Sequence, residues 1–137
     1  RNLEESDLLE AKTFSSSILI NTENEFELAK LPLLAQISAV FGIIYDDFDN
    51  DGLDDIIIAG NLYNTEMEIP RGDAGKGLFL KGDGKGGFQV IRGYDSGLFI
   101  PGDVKKLKAI QLGEGPSARK GVIAGINNNF LRLITVQ

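Results

Sequence analysis

An internal repeat is the feature that most constrains the fold of this chain. Residues 18–26 and 78–88 each carry an apolar triplet, a polar turn and a phenylalanine. Residues 57–60 and 122–125 read IIAG and VIAG, so the two pairs are offset by about 60 to 65 positions. This spacing accommodates a four-stranded antiparallel unit and is typical of the blades of a β-propeller. We therefore expect several similar small sheets.

Turn-forming residues separate short apolar runs along most of the chain. The 137 residues include 17 glycines and 4 prolines, and 42% are hydrophobic, which suffices for one compact core. Short apolar runs bounded by such turns are typical of strands, so the predicted fold class is all-β. The predicted strands are residues 15–21, 26–31, 39–46, 55–61, 77–82, 88–92, 104–112, 121–127 and 130–136.

The repeat divides residues 1–137, a single all-β segment, into three groups of antiparallel strands. Residues 15–31 would end one blade, residues 39–92 would form a complete four-stranded blade, and residues 104–136 would form a degenerate third. We thus expect a partial propeller of about two to three blades. Residues 5–14 have apolar side chains at roughly helical spacing, which predicts a short N-terminal helix.

Composition excludes several classes of function. Twenty acidic and 14 basic residues give a net charge of −6, which opposes binding to nucleic-acid phosphates. The chain has no cysteine and no histidine, so zinc sites of the usual type, thiol nucleophiles and imidazole bases are absent. No apolar run is long enough to span a membrane. We predict a protein that is not an enzyme and binds neither nucleic acid nor the membrane interior.

The stretch DFDNDGLDD, residues 47–55, has the spacing of a calcium loop. Calcium binds six to eight oxygens, and carboxylates on alternate residues of a tight loop can surround one ion. An EF-hand requires glutamate at the twelfth position and a following helix, whereas Ile58 stands there within a strand. As a solvated turn, the stretch would crowd four carboxylates without a cation. The predicted ligands are the carboxylates of Asp47, Asp49, Asp51 and Asp55 and the carbonyl of Leu53.

The run DFDNDGLDDIIIAGN resembles the calcium-binding signature of FG-GAP or VCBS repeats, the blades of integrin-α-like β-propellers. More broadly, residues 11–112 resemble the C-terminal repeats of large secreted VCBS proteins of the Bacteroidetes type, including those with ASPIC/UnbV domains. The resemblance implies a blade with one structural Ca²⁺ in an extracytoplasmic protein used for adhesion or binding. The equivalent connection of the next blade, residues 111–121, departs from the pattern because Glu114 is its only carboxylate.

Two function classes fit these features. The first is a non-catalytic, calcium-stabilised propeller segment that serves as a scaffold or binding module for a protein or glycan. The second is an accessory part of an extracellular enzyme whose catalytic residues lie outside residues 1–137. In either case we expect a secreted, cell-surface or periplasmic protein. An incomplete set of blades exposes strand edges, so we also expect self-association through an edge strand.

The longest predicted connection, residues 61–77, is a candidate binding loop, because long loops in compact domains are often functional. Its side chains suit contacts with sugars or peptides; packing over the blade edge is the alternative. The tripeptide RGD at 71–73 is too short to identify an integrin ligand, and a local ion pair or cap formed by its arginine and aspartate explains it better. The candidate contact residues are Tyr63, Glu66, Glu68, Arg71 and Asp73.

Overall fold

The computed structural model describes residues 9–115 and 118–136. In that part of the chain, nine strands form three antiparallel sheets, which confirms the all-β class. The strands are β1 Ser17–Asn21, β2 Phe26–Lys30, β3 Gly42–Asp46, β4 Asp55–Ala59, β5 Leu78–Gly82, β6 Phe88–Ile91, β7 Val104–Leu112, β8 Arg119–Ile126 and β9 Arg132–Thr135. A 3₁₀ helix spans Leu33–Gln36, and a single turn of α-helix, α1, spans Gly93–Ser96.

The strands group as two, four and three. β1 and β2 form a hairpin, β3 to β6 form a sheet in chain order, and β7 to β9 form the third sheet. These sheets lie within the three segments delimited by the repeat. No closed sheet is formed by the described residues, and the assignment of the three sheets to propeller blades stays a prediction.

The four-stranded sheet lies between the other two, and strand β4 contributes to both of its faces. All five residues of β4 are buried. Successive side chains of a strand point to opposite faces, so Ile57 packs with residues of β7 and β8, while Ile56 and Ile58 pack toward β1 and the 3₁₀ helix. Because both faces are covered, residues 56–59 of the strand are a continuous apolar run instead of an alternating one.

The predicted N-terminal helix is wrong for the part of it that is described. Residues 9–14 form no helix, and residues 5–8 lie outside the described residues. Leu9 is 92% exposed and Phe14 is 88% exposed. A short helix in water depends on packing of its apolar face, and in the described part of the chain these two side chains have no such packing.

Candidate metal centre

The connection between β3 and β4 brings three carboxylates together. Asp47, Asp49 and Asp55 each offer one oxygen, and the three oxygens lie within 4.8 Å of one another. The backbone reverses through left-handed conformations at Asn50, with φ of 60°, and at Gly52, with φ of 87°. Asparagine and glycine tolerate this region best, so the local sequence favours the tight turn that gathers the carboxylates. The trio could hold a metal ion.

Asp55 is the buried member of the trio. Its Oδ2 accepts a hydrogen bond from the amide of Phe48 at 3.0 Å, and its Oδ1 accepts one from the amide of Gly82 at 3.0 Å. Burial raises the pKa of Asp55, and the negative charges of nearby carboxylates act in the same direction, while the two amides oppose the shift. Phe48 in turn packs edge-on against Phe79 in the core. Asp55 therefore links the loop to β5 as well as offering an oxygen to a cation.

Amides of the loop hold the other two members in place. The amide of Asp51 donates to Asp47 Oδ1 at 3.2 Å and to Asp49 Oδ1 at 3.1 Å. The amide of Gly52 donates to Asp47 Oδ2 at 3.1 Å. A carboxylate has about four lone-pair sites, so these hydrogen bonds leave oxygen lone pairs for a cation.

Asp51, a predicted ligand, contacts a lysine and lies outside the trio. Lys81 Nζ on β5 lies 2.7 Å from Asp51 Oδ2 and also contacts Asp49 Oδ2. The Lys81 ammonium is the main cause that lowers the pKa of Asp51, and the amide of Leu53 is the second. Asp49 and Asp51 in turn raise the pKa of Lys81. Leu53 donates its amide to Asp51 Oδ1 at 2.9 Å, and the predicted role of its carbonyl stays a prediction.

A second lysine connects the loop to the three-stranded sheet. Lys120 Nζ on β8 lies 2.6 Å from Asp46 Oδ1 and also contacts the carbonyl oxygen of Asp47. Reasoning from sequence missed both lysines. The proximity of Lys81 to the loop follows only from the pairing of β4 with β5. Ile56 lies opposite Leu80, so the next position places Lys81 opposite Asp55.

The spacing of the loop resembles a known calcium signature. No family model, curated protein or solved structure matches the chain. The resemblance to FG-GAP and VCBS repeats thus rests on the sequence alone, on the motif in residues 47–61 and the spacing of the repeat. No helix in residues 9–115 or 118–136 is long and apolar enough to cross a membrane.

The candidate binding loop folds back on itself. Leu62 and Gly72 form an antiparallel bridge through two hydrogen bonds of 2.9 Å. The guanidinium of Arg71 lies over the ring of Tyr63, 5.3 Å from its centroid. The expected ion pair between Arg71 and Asp73 is wrong, because no carboxylate of the described residues pairs with Arg71.

The other candidate residues of this loop lie away from that pair. Glu66, Glu68 and Asp73 are exposed. The carbonyl of Asp73 accepts a hydrogen bond from Lys76 Nζ at 3.2 Å. Tyr63 and Arg71 line a polar cleft together with the turn between β8 and β9, and the three acidic side chains do not line it.

Proposed function

We propose that the chain is a segment of a calcium-stabilised β-propeller and acts as a non-catalytic binding or scaffold module outside the cytoplasm. The observation that carries the proposal is the convergence of Asp47, Asp49 and Asp55 at the connection between β3 and the buried strand β4. All three side chains offer oxygen, which suits hard cations such as Ca²⁺. Magnesium demands near-ideal octahedral geometry, whereas calcium accepts several carboxylates in flexible arrangements.

The role proposed for calcium is structural. Asp47 and Asp49 belong to the connection, while Asp55 belongs to a strand buried on both faces. An ion shared among them would fasten the connection to the core and would offset the repulsion among neighbouring carboxylates. Extracellular modules bind calcium with dissociation constants of about 10⁻⁴–10⁻³ M, and we expect an affinity in that range.

Thermal unfolding with and without calcium tests this proposal. At calcium about ten times the dissociation constant, the folded state should gain about 1.4 kcal/mol. For a chain of this size the melting temperature should then rise by about 5 °C relative to chelator, and magnesium should give a smaller rise.

Two variants make the test specific. The double variant Asp49→Ala with Asp51→Ala should remove the response to calcium, whereas Asp95→Ala, an exposed aspartate on α1, should keep it. A wild-type melting curve that is identical in calcium and in chelator would contradict the proposal.

A further inference from the structure

A polar cleft of about 370 Å³ lies beside the candidate binding loop. Sites for small ligands commonly measure roughly 300–1,000 Å³, so the cleft can admit one ring-sized group. Three separate segments form its walls: the 61–77 loop, the turn before β7, and the turn between β8 and β9. It lies apart from the candidate metal centre, whose residues do not line it.

The buried side chain of Asn61 fastens the first two walls together. Its Nδ2 donates to the carbonyls of Gly75, at 2.9 Å, and of Gly102, at 2.8 Å. Its Oδ1 accepts from the amide of Gly75 at 2.8 Å. A buried and satisfied polar group of this kind fixes a unique arrangement, so the cleft is formed before any ligand arrives, which lowers the cost of binding.

Asp103 holds the turn between β8 and β9 in place, and its charge is paired with a lysine of the same chain. Its carbonyl accepts from the amide of Asn127 at 2.9 Å, and its Oδ2 accepts from Asn127 Nδ2 at 3.1 Å. Its Oδ1 lies 2.7 Å from Lys105 Nζ. The carboxylate is buried, and the ammonium of Lys105 offsets its negative charge before a ligand enters the cleft.

Arg71 is thus the cation that the cleft presents. The ring of Tyr63 covers one face of its guanidinium, which leaves the N–H groups at the edge of the plane to donate hydrogen bonds. A guanidinium edge matches a carboxylate through two parallel hydrogen bonds. In the parts of the chain that are described, no carboxylate takes this position.

The rest of the rim carries amide side chains. Asn127, Asn128 and Asn129 lie side by side in the turn after β8, and all three line the cleft. An asparagine amide has two N–H donors and one acceptor oxygen. Asn127 uses one N–H on Asp103 Oδ2, and Asn129 Oδ1 accepts from the amide of Phe130. The remaining donors and acceptors can pair with sugar hydroxyls, which both donate and accept. Arg71 therefore faces a surface suited to a ring rich in hydroxyl groups.

We propose that this cleft binds an acidic sugar residue of a glycan, with the sugar carboxylate on Arg71 and the hydroxyls on the asparagine turn. The inference rests on the proposed function as a binding module and names its ligand class. With a net charge of −6 the protein as a whole repels anions, so recognition must come from the local contacts of Arg71. A sugar without a carboxylate would lose the bidentate pair.

Isothermal titration with matched sugars tests the inference. The probes are a glucuronate-containing tetrasaccharide, the same tetrasaccharide with its carboxyls methylated, N-acetylneuraminic acid, and a tripeptide with a free carboxyl terminus. We expect the acidic tetrasaccharide or N-acetylneuraminic acid to bind at least tenfold more tightly than the methyl ester and the tripeptide.

Variants of two stacked arginines assign the binding to the cleft. Arg71→Gln should weaken binding of the acidic sugar at least tenfold, and Arg71→Lys should fall between, because lysine keeps the charge and loses the planar fork. Arg92→Gln is the matched control, since Arg92 stacks on Tyr94 at 5.9 Å outside this cleft. Melting curves of the variants confirm that the fold is kept.

Three results would overturn the inference. They are no binding of either acidic sugar, equal binding of the methyl ester or the tripeptide, and an affinity that Arg71→Gln leaves unchanged. Each titration is run in calcium and again in chelator. Sugar binding that survives in a protein whose melting ignores calcium would refute the metal proposal alone, whereas calcium stabilisation without sugar binding would refute this inference alone.

Discussion

Lys81 places an ammonium group against two of the carboxylates that a calcium ion would attract. It contacts Asp49 and Asp51 at the surface of the loop, and its positive charge compensates part of the repulsion in the cluster. A divalent cation bound to Asp49 would be repelled by the same charge. Lys81 therefore stabilises the metal-free loop and opposes metal binding.

Replacing Lys81 with glutamine should tighten calcium binding. The loss of one charge has two effects, and both tighten binding: calcium meets less repulsion, and the metal-free loop loses its counter-charge. Since unit charges about 4 Å apart interact by about 1 kcal/mol in water and calcium is divalent, the repulsion is about 2 kcal/mol, and roughly 30-fold tighter binding is expected. Calcium titration calorimetry measures the change.

The control is Lys85→Gln, at an exposed lysine in the turn after β5, which should leave the calcium affinity near that of the wild type. Equal affinities for all three proteins would show that Lys81 does not compete with calcium.

Changing Asp55 to asparagine should lower stability more than changing Asp49, and Asp49→Asn should mainly affect the calcium response. Asp55 accepts two buried amide hydrogen bonds, one of which an asparagine NH₂ group would lose. The expected cost is about 1–3 kcal/mol of the free energy of unfolding, measured by urea denaturation in chelator. Asp49 is only partly buried, so Asp49→Asn should cost less than about 1 kcal/mol in chelator and lose the calcium response. Equal losses in chelator would contradict this division of roles.

At this scale the sequence predicts a site's residue types better than its geometry. Alternate aspartates and a glycine indicate where the loop turns, and Asp47, Asp49 and Asp55 do meet. Lys81 comes from a strand more than 20 positions away, so its contact depends on strand register, which no local spacing contains. Arg71 and Tyr63 flank a bridge that is equally invisible in the sequence.

The apolar-apolar-Ala-Gly motif lies near the ends of both β4 and β8, but its two glycines have different surroundings. A methyl group on Gly60 would lie 2.3 Å from the carbonyl oxygen of Ala39 and 2.6 Å from the amide nitrogen of Phe41. A methyl group on Gly125 would lie 3.7 Å from its nearest neighbour, the carbonyl oxygen of Lys106, which is an ordinary contact. The φ angle of Gly125 is not positive. Backbone packs closely against only the first strand end.

Alanine at these two glycines should therefore separate their roles. Gly60→Ala forces backbone apart and should destabilise the fold by at least about 2 kcal/mol. Gly125→Ala should be neutral or stabilise by about 0.5 kcal/mol, because alanine restricts the unfolded chain more than glycine does. Chemical denaturation of the two variants and the wild type gives these values directly. Similar losses at both positions would mean that the two sheets end in the same way.

Strands and helices were predictable where the apolar pattern of the sequence agrees with what the fold buries. Each predicted strand overlaps an observed one, since turn residues bound every apolar run. Residues 39–41 of the third prediction lie outside β3, where the chain passes against Gly60. The helix predicted for residues 5–14 fails over 9–14, because helical spacing has no effect without a surface to bury it.

At the scale of the whole molecule, both ends of the stack of sheets expose apolar side chains. On the hairpin, Leu19 lies opposite Leu28, and they are 58% and 52% exposed. On the third sheet, Ile123 lies opposite Leu133, which is 56% exposed. Such faces and the open edges beside them tend to find partners.

The two ends carry opposite charge. The hairpin bears Glu23, Glu25, Glu27 and one basic residue, Lys30, whereas residues 104–136 contain six basic side chains and one acidic side chain. Contact between unlike ends is therefore favoured over contact between like ends. Such a head-to-tail contact is heterologous and can extend from copy to copy.

We expect this chain to self-associate head to tail. Its sedimentation coefficient should rise with protein concentration and should fall in high salt, which screens the charges. Leu28→Lys disables the hairpin end and Leu133→Lys disables the opposite end, so each variant alone should sediment as a monomer. A mixture of the two retains one intact contact and should form a dimer that grows no further. An isologous contact between like ends predicts the reverse, because one of the two variants would then dimerise alone and mixing would add nothing. Monomeric wild type at every concentration would show that neither face associates.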